Sequence, residues 1–517
     1  MNLLRSAAVI GIYTLLSRIL GFIRDLLIAA TLGAGPVADA FFVAFRLPNL
    51  FRRLFAEGAF NAAFSPMFAE SLIQRGPDDA RRFAEEALAA VLIGAVLLTA
   101  IAELTMPALI SILAPGFLDD PVQFERTVEM ARLSFPYLGL MTLMALAGAV
   151  LNGIGRFAAA AAAPILLNVV AITALLGFSD LGKSSGHVLA AAVTISGVIQ
   201  LAFVVFAAQR AGYPIRLRLP RLTASIKRLA KLMAPGVLAA GATQINIVVG
   251  SQLASLLSAG AISHLYYADR IYQLPLGVIG VGLGVALLPQ LSREAQAGNE
   301  VAAKASLARA VEIALWLTLP ATAAALAMPE LLVKALFERG AFTNADTLAT
   351  AAALTAYAAG LPAFVLAKTL APAFFARADT KTPARAAGFS VVLNIALGLS
   401  LMWSLGHIGL ALATTLAAWA QAIWLAVSLV RRGWYQPSGI SLRRITGLIF
   451  AACALAVALF YAAAPVSQLA TDKIELLGLT LGLCLVGGLA YLVLAHLLGA
   501  ARIDSAFVEI KRGPAKT

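Results

Sequence analysis

Ten ionisable side chains of this 517-residue chain stand in sequence that is otherwise apolar. Arg18, Arg24 and Asp25 lie in the N-terminal run, and Asp39, Arg46, Arg52, Arg53 and Glu57 lie within DAFFVAFRLPNLFRRLFAEGAF. Asp269 and Arg270 belong to YYADRIYQLP. A charge at the centre of a membrane helix costs roughly 2.5 to 3.5 kcal/mol on insertion scales, so such a cluster implies a water-filled, protein-lined cavity. Arginines outnumber carboxylates in it, and Lys368 adds a further cation. A surplus of guanidinium groups calls for an anion, and the planar fork suits bidentate capture of phosphate or carboxylate. A pyrophosphate or polyanionic headgroup therefore fits better than a neutral drug or an inorganic cation.

The elements that must position these groups are helices. Arg18 and Asp25 are seven residues apart and share a helical face, with Arg24 about 120° away, so Asp25 is expected to pair one of the two arginines. Asp39, Arg46 and Arg53 also recur every seven residues, and Arg53 with Glu57 forms an i, i+4 pair. Structural ion pairing is the competing explanation for Asp25, Arg53, Glu57 and Asp269, and it is weaker for Arg18, Arg24, Arg52 and Arg270. Prolines 48, 66, 275 and 289 are expected to interrupt the helices that carry the charges.

With 61% hydrophobic and 13% charged residues and a mean hydropathy of +0.88, the chain lacks the polar surface of a soluble globule. It reads as an all-α polytopic membrane protein. Fourteen helix-length apolar spans are expected: 6–32, 36–72, 84–114, 128–152, 158–178, 187–209, 229–258, 264–291, 306–336, 347–376, 385–405, 408–430, 445–464 and 476–499. The N-terminus resembles a signal peptide but continues helically past any cleavage site, and is read as a retained first helix. If the N-terminus and every second loop share one side, that side holds 26 of the 39 Lys and Arg, and the opposite loops hold six. The positive-inside rule then places both termini in the cytoplasm. The basic balance reflects topology and attraction to anionic lipid, not nucleic-acid binding. Residues 210–231 read as an interfacial linker between two halves.

Cys453 and Cys484 sit mid-span without metal or disulfide spacing, and His187, His264, His407 and His496 are scattered without ligand spacing, so no metal and no cofactor is expected. No Walker loop, HExxH, GxSxG or Ser/His/Asp set is present, so the chain is not expected to be an enzyme. A weak internal repeat relates FRLPN (45–49) to YQLPL (272–276), AAFSPMFAE (62–70) to VALLPQLSRE (285–294), and Leu167-Asn168 to Leu393-Asn394. The shared order suggests a duplicated six-helix unit, a recurring plan of secondary transporters.

The segment GAGPVADAFFVAFRLPNLFRRLFAEGAFNAAFSPMFAE (33–70) resembles the signature of the MurJ (MviN) lipid II flippases. The resemblance extends through SRILGFIRD (17–25), APGF (114–117), FPY (135–137), YYADRIYQLPLGVIGVGLGVALLPQLS (266–292) and LAPAFFARADTKTP (370–383). That family belongs to the multidrug/oligosaccharidyl-lipid/polysaccharide exporter superfamily. The resemblance implies two pseudo-symmetric six-helix lobes, 1–212 and 213–436, with helices 13 and 14 and a cytoplasmic tail in 437–517. It implies movement of undecaprenyl-pyrophosphate-linked peptidoglycan precursor (lipid II) across the bacterial inner membrane by alternating access. It makes Arg18, Arg24, Arg52 and Arg270 the substrate-binding residues, with Asp25, Asp39, Arg46, Arg53, Glu57 and Asp269 supporting or gating. The implied partners are lipid II and the bilayer, with other cell-wall synthesis proteins left open. Helices 13 and 14 line a hydrophobic groove in that family, and here 445–464 and 476–499 carry no Asp, Glu, Lys or Arg. Some members bind sodium through an Asn and an Asp one turn apart, but Gly398 follows Asn394 here, so no sodium site is expected. Two other readings compete: a related exporter of another polyprenyl-linked glycan or of drugs, and a non-transporting membrane scaffold.

Overall fold

A computed structural model describes residues 3–52, 60–178, 185–214 and 216–500, and of these only the backbone of 3–8, 237–243, 278 and 280–286. The described residues form α-helices: α1 (Leu3–Leu32), α2 (Pro36–Phe51), α3 (Asn61–Gln74), α4 (Pro77–Leu113), α5 (Pro121–Ser134), α6 (Tyr137–Gly153), α7 (Ala158–Gly177), α8 (Ser185–Arg210), α9 (Ala224–Ser255), α10 (Ala261–Gln296), α11 (Glu300–Ala327), α12 (Pro329–Phe337), α13 (Asn344–Ala358), α14 (Leu361–Phe375), α15 (Lys381–Arg431), α16 (Gly439–Leu469) and α17 (Lys473–Leu497). Each expected span falls on one helix or on two in tandem, with 53–59 of the second span outside the described residues. Nine helical stretches among the described residues are long and apolar enough to cross a membrane. Large apolar side chains such as Trp403, Phe450, Leu485 and Val486 stand exposed on α15, α16 and α17. Water would penalise that surface at about 25 cal/mol per Å², a cost that lipid removes.

Helix ends follow from local chemistry. Thr343 and Asp346 form a capping box that opens α13. Asp120 accepts hydrogen bonds from the amides of Val122 and Gln123 to open α5, with Pro121 at the first helical position. Inside α15, Gly406 takes φ +58 and ψ −136. There the chain folds back, so that Ser390 Oγ donates to the carbonyl of Ala417 at 3.0 Å. The expected two spans flanking residue 406 are thus one hairpin on a glycine turn. The prolines lie inside helices that continue through them: Pro48 in α2, Pro66 in α3, and Pro275 and Pro289 in α10. Proline's fixed φ is itself helical, so losing one donor within a 36-residue helix does not end it.

The chain forms two compact units: Met1–Ser263 with Gly340–Phe342, and His264–Arg339 with Thr343–Thr517. In the first unit α1 packs on α7, α7 and α6 on α8, and α2 on α5. Its aromatic core is a ladder at i, i+4 spacing, Phe60, Phe64 and Phe68, with ring centroids 5.1 and 5.7 Å apart and Phe83 of α4 stacked on Phe64. Ile226 and Leu229 of α9 pack into the same cluster. The linker before α9 is fastened by Glu85 of α4, which is almost completely buried. Its Oε1 accepts from the backbone N–H of Arg216 at 3.2 Å, its Oε2 from Nε of Arg218, and Arg81 lies one turn away at 3.4 Å. In the second unit α11 packs on α16 and α14, and α16 on α17, around Leu448, Leu455, Leu459 and Tyr491.

Candidate anion-binding site

In the first unit the arginines of α1 part company. Arg24 is held from two directions: its Nε and Nη2 donate to Asp25 Oδ1 at 3.2 and 2.8 Å, and its Nη1 donates to Asn168 Oδ1 at 3.0 Å. Asn168 is buried in α7 and fixed in turn, since its Nδ2 donates to the carbonyl of Ser17 at 2.9 Å. The amide is thus oriented at both ends, which fixes the direction of the guanidinium. Arg18 is exposed and has no hydrogen bond or ion pair among the described residues. Of the two arginines that Asp25 could pair, it takes Arg24. Arg18 lies two turns, about 10.5 Å, farther along the axis, too far to close that pair easily.

On α2, Asp39 and Arg46 do share a face. Asp39 is buried and accepts from the backbone N–H of Gly260 at 2.6 Å, from that of Ser263 at 2.8 Å and from the Ser263 hydroxyl. It thereby satisfies amides at the start of α10 that have no partner within the helix. Arg46 Nη1 donates to Ser251 Oγ, whose own proton goes to the carbonyl of Ile247 at 2.9 Å. Arg52 folds back one turn, its Nε and Nη2 donating to Asn49 Oδ1 at 3.2 and 2.8 Å. Arg53 and Glu57 lie outside the described residues.

In the second unit, Arg270 Nη2 donates to the Tyr266 hydroxyl at 2.7 Å, with the guanidinium carbon 4.6 Å from the same ring's centroid. Asp269 accepts from Gln273 Nε2. Lys368 stands exposed on α14. Among the described residues no three His, Cys, Asp or Glu side chains converge on a metal position.

Asn49, Asn168, Ser251, Ser263, Tyr266 and Gln273 are polar partners that sequence reasoning missed. Asn168 alone left a signal, as an amide within an apolar run that recurs in the internal repeat as Asn394.

The profile of a family described as "Lipid II flippase MurJ" matches residues 28–477. This chain belongs to that family. A probable lipid II flippase MurJ from Rhizobium meliloti (strain 1021) is 44% identical over 521 residues, covering 99% of this chain and 97% of its own. A protein described as lipid II flippase MurJ from Burkholderia cenocepacia is 34% identical, covering 88% of this chain and 89% of its own. The fold is that of a solved MurJ in an inward closed conformation, with a TM-score of 0.77 at 23% identity over 94% of this chain and 98% of that one. It is also similar in fold to an inward-facing multidrug resistance MATE family transporter described as a member of the MOP superfamily, at a TM-score of 0.66 and 18% identity, covering 80% of this chain and 95% of that one. With the apolar helices, MurJ membership makes this a multi-pass membrane protein.

Proposed function

We propose that this chain carries lipid II from the cytoplasmic to the periplasmic leaflet of the bacterial inner membrane by alternating access, for cell-wall synthesis and without covalent chemistry of its own. Family membership supports the reading, and the observation that carries it to particular residues is the contrast on α1. Arg24 is locked by Asp25 and Asn168, while Arg18 has its guanidinium unengaged among the described residues. A pre-oriented fork and an uncommitted one on the same helix suit a pyrophosphate, which offers acceptors to both.

In this reading Arg18, Arg24, Arg52 and Arg270 bind the pyrophosphate. Asp25 and Asp39 hold the arginine and the start of α10, Arg46 anchors α2, and Arg53, Glu57 and Asp269 act as supporting or gating groups. Residues 1–212 and 213–436 form the two lobes and 437–517 the last two helices and tail, with fourteen crossings and both termini in the cytoplasm.

The test is complementation of flippase-depleted cells by Arg18→Ala and Arg270→Ala. Each variant is expected to reach the membrane at the parental level, fail to restore growth and leave precursor in the inner leaflet. Normal growth with normal periplasmic exposure of lipid II in both variants would refute the assignment.

A further inference from the structure

Two histidines 143 residues apart in sequence meet in the second unit. His264 is in the first turn of α10, and His407 immediately follows the Gly406 turn of α15. Their ring centroids are 5.3 Å apart with the planes inclined at 44°. His407 Nε2 lies 2.9 Å from the carbonyl oxygen of Ala349, which can only accept, so this nitrogen carries the proton. His264 Nε2 lies 3.3 Å from Oδ1 of Asp346. The other oxygen of Asp346 accepts from the Thr343 amide and hydroxyl, both at 2.8 Å, so this carboxylate is already fixed in place. Asp346 Oδ1 as the acceptor sets the same tautomer on His264. Each imidazole thus donates through Nε2 to a backbone or carboxylate oxygen, which leaves Nδ1 as the basic nitrogen, and neither Nδ1 has a hydrogen-bond partner among the described residues.

That is the pattern of metal-bound histidine, in which the nitrogen away from the ion donates to a carboxylate or carbonyl and so fixes tautomer and ring direction. With metal–nitrogen bonds of about 2.0 to 2.1 Å, two imidazoles on one tetrahedral ion place their centroids about 5.2 Å apart. The observed separation agrees. We propose that His264 and His407 bind one borderline transition-metal ion, Zn²⁺ or Cu²⁺, through their Nδ1 atoms, with Asp346 and the Ala349 carbonyl orienting the rings and water completing the coordination. Imidazole nitrogen selects such ions over Mg²⁺ and Ca²⁺. The ion would pin the start of α10 to α13 and to the α15 turn.

The experiment uses the full-length, tag-free protein in detergent, stripped with chelator and titrated with Zn²⁺ by calorimetry and by thermal unfolding. One ion per chain and a raised melting temperature are expected, with Mg²⁺ inert. His264→Ala and His407→Ala should each abolish both effects, and His187→Ala should retain them. Asp346→Asn keeps both imidazoles and should weaken binding about 10- to 100-fold. In the parent protein, the electron paramagnetic resonance spectrum of bound Cu²⁺ should show coupling to two nitrogens, a readout that needs no variant to fold. No Zn²⁺ binding by the parent, undiminished binding in both histidine variants, or a Cu²⁺ spectrum with fewer than two coupled nitrogens overturns the proposal.

Discussion

Asn168→Leu tests whether Arg24 must be aimed as well as present. The substitution keeps a branched side chain of similar shape and removes the Oδ1 that accepts from Arg24 Nη1 at 3.0 Å. A hydrogen bond to a charged group contributes about 1.5 to 3 kcal/mol, so if the pyrophosphate reads the direction of that guanidinium, lipid II affinity should fall roughly ten- to a hundredfold. The loss stays partial because Asp25 still holds Nε and Nη2. Binding of lipid II to the purified protein gives the number, and a double-mutant cycle gives the cause. Arg24→Ala with Asn168→Leu should bind no worse than Arg24→Ala alone, since the amide has nothing left to aim. Additive losses, or parental affinity in a folded Asn168→Leu protein, would refute the positioning argument.

Two further outcomes are expected. Asp39→Ala leaves the amides of Gly260 and Ser263 without an acceptor; at about 1 to 3 kcal/mol for each buried orphan, local stability should drop roughly 2 to 6 kcal/mol. Hydrogen exchange at residues 260–263 should accelerate accordingly, and unchanged protection there would rule out the capping role. Asp379, in the turn before α15, accepts from the side chain and backbone of Thr382 and from Arg432, and these contacts hold its carboxyl below the ordinary carboxylate range. A depressed folded-state pKa contributes stability above the unfolded value, near 3.9, and loses it as pH falls through the folded value. The melting-temperature gap between the parent and Asp379→Asn should therefore narrow on acidification below about pH 4, and a gap constant with pH would contradict that assignment.

Much of the helical framework was legible because membrane-length apolar runs and turn residues carry strong local signals. Gly406 shows this well: two spans end on either side of it, and the backbone there takes a conformation that glycine adopts readily. Charge was legible too, since an arginine amid leucines is visible without a fold. The pairing of those charges was not. Asp25 can be drawn toward Arg18 or Arg24 on a helical wheel, and only axial distance together with the arrival of Asn168 from α7 decides it. Ser251 and Ser263 are small hydroxyls with no periodic signature, and their roles exist only once α2 lies against them. Prolines are ambiguous for a different reason: sequence shows that a donor is missing but not whether the helix continues past it. In LAPAFFARADTKTP the residues at 377–382 proved architectural, with Ala378 at φ +58, Asp379 capping Thr382 and Arg377 paired with Glu300 at 2.6 Å.

The fastening of the 216–218 segment by Glu85 gives some of the loop arginines two tasks at two different times. On the proposed topology Arg81 and Arg218 count among the cytoplasmic positive charges that orient the chain during insertion, when the nascent helices have few neighbours. Once the first unit has folded, both lie against one buried carboxylate, Arg218 through its Nε and Arg81 at 3.4 Å. Charge that first acts as a topological signal thus ends as mortar, and the electrostatic grip of the finished protein on anionic headgroups is smaller than its loop composition suggests.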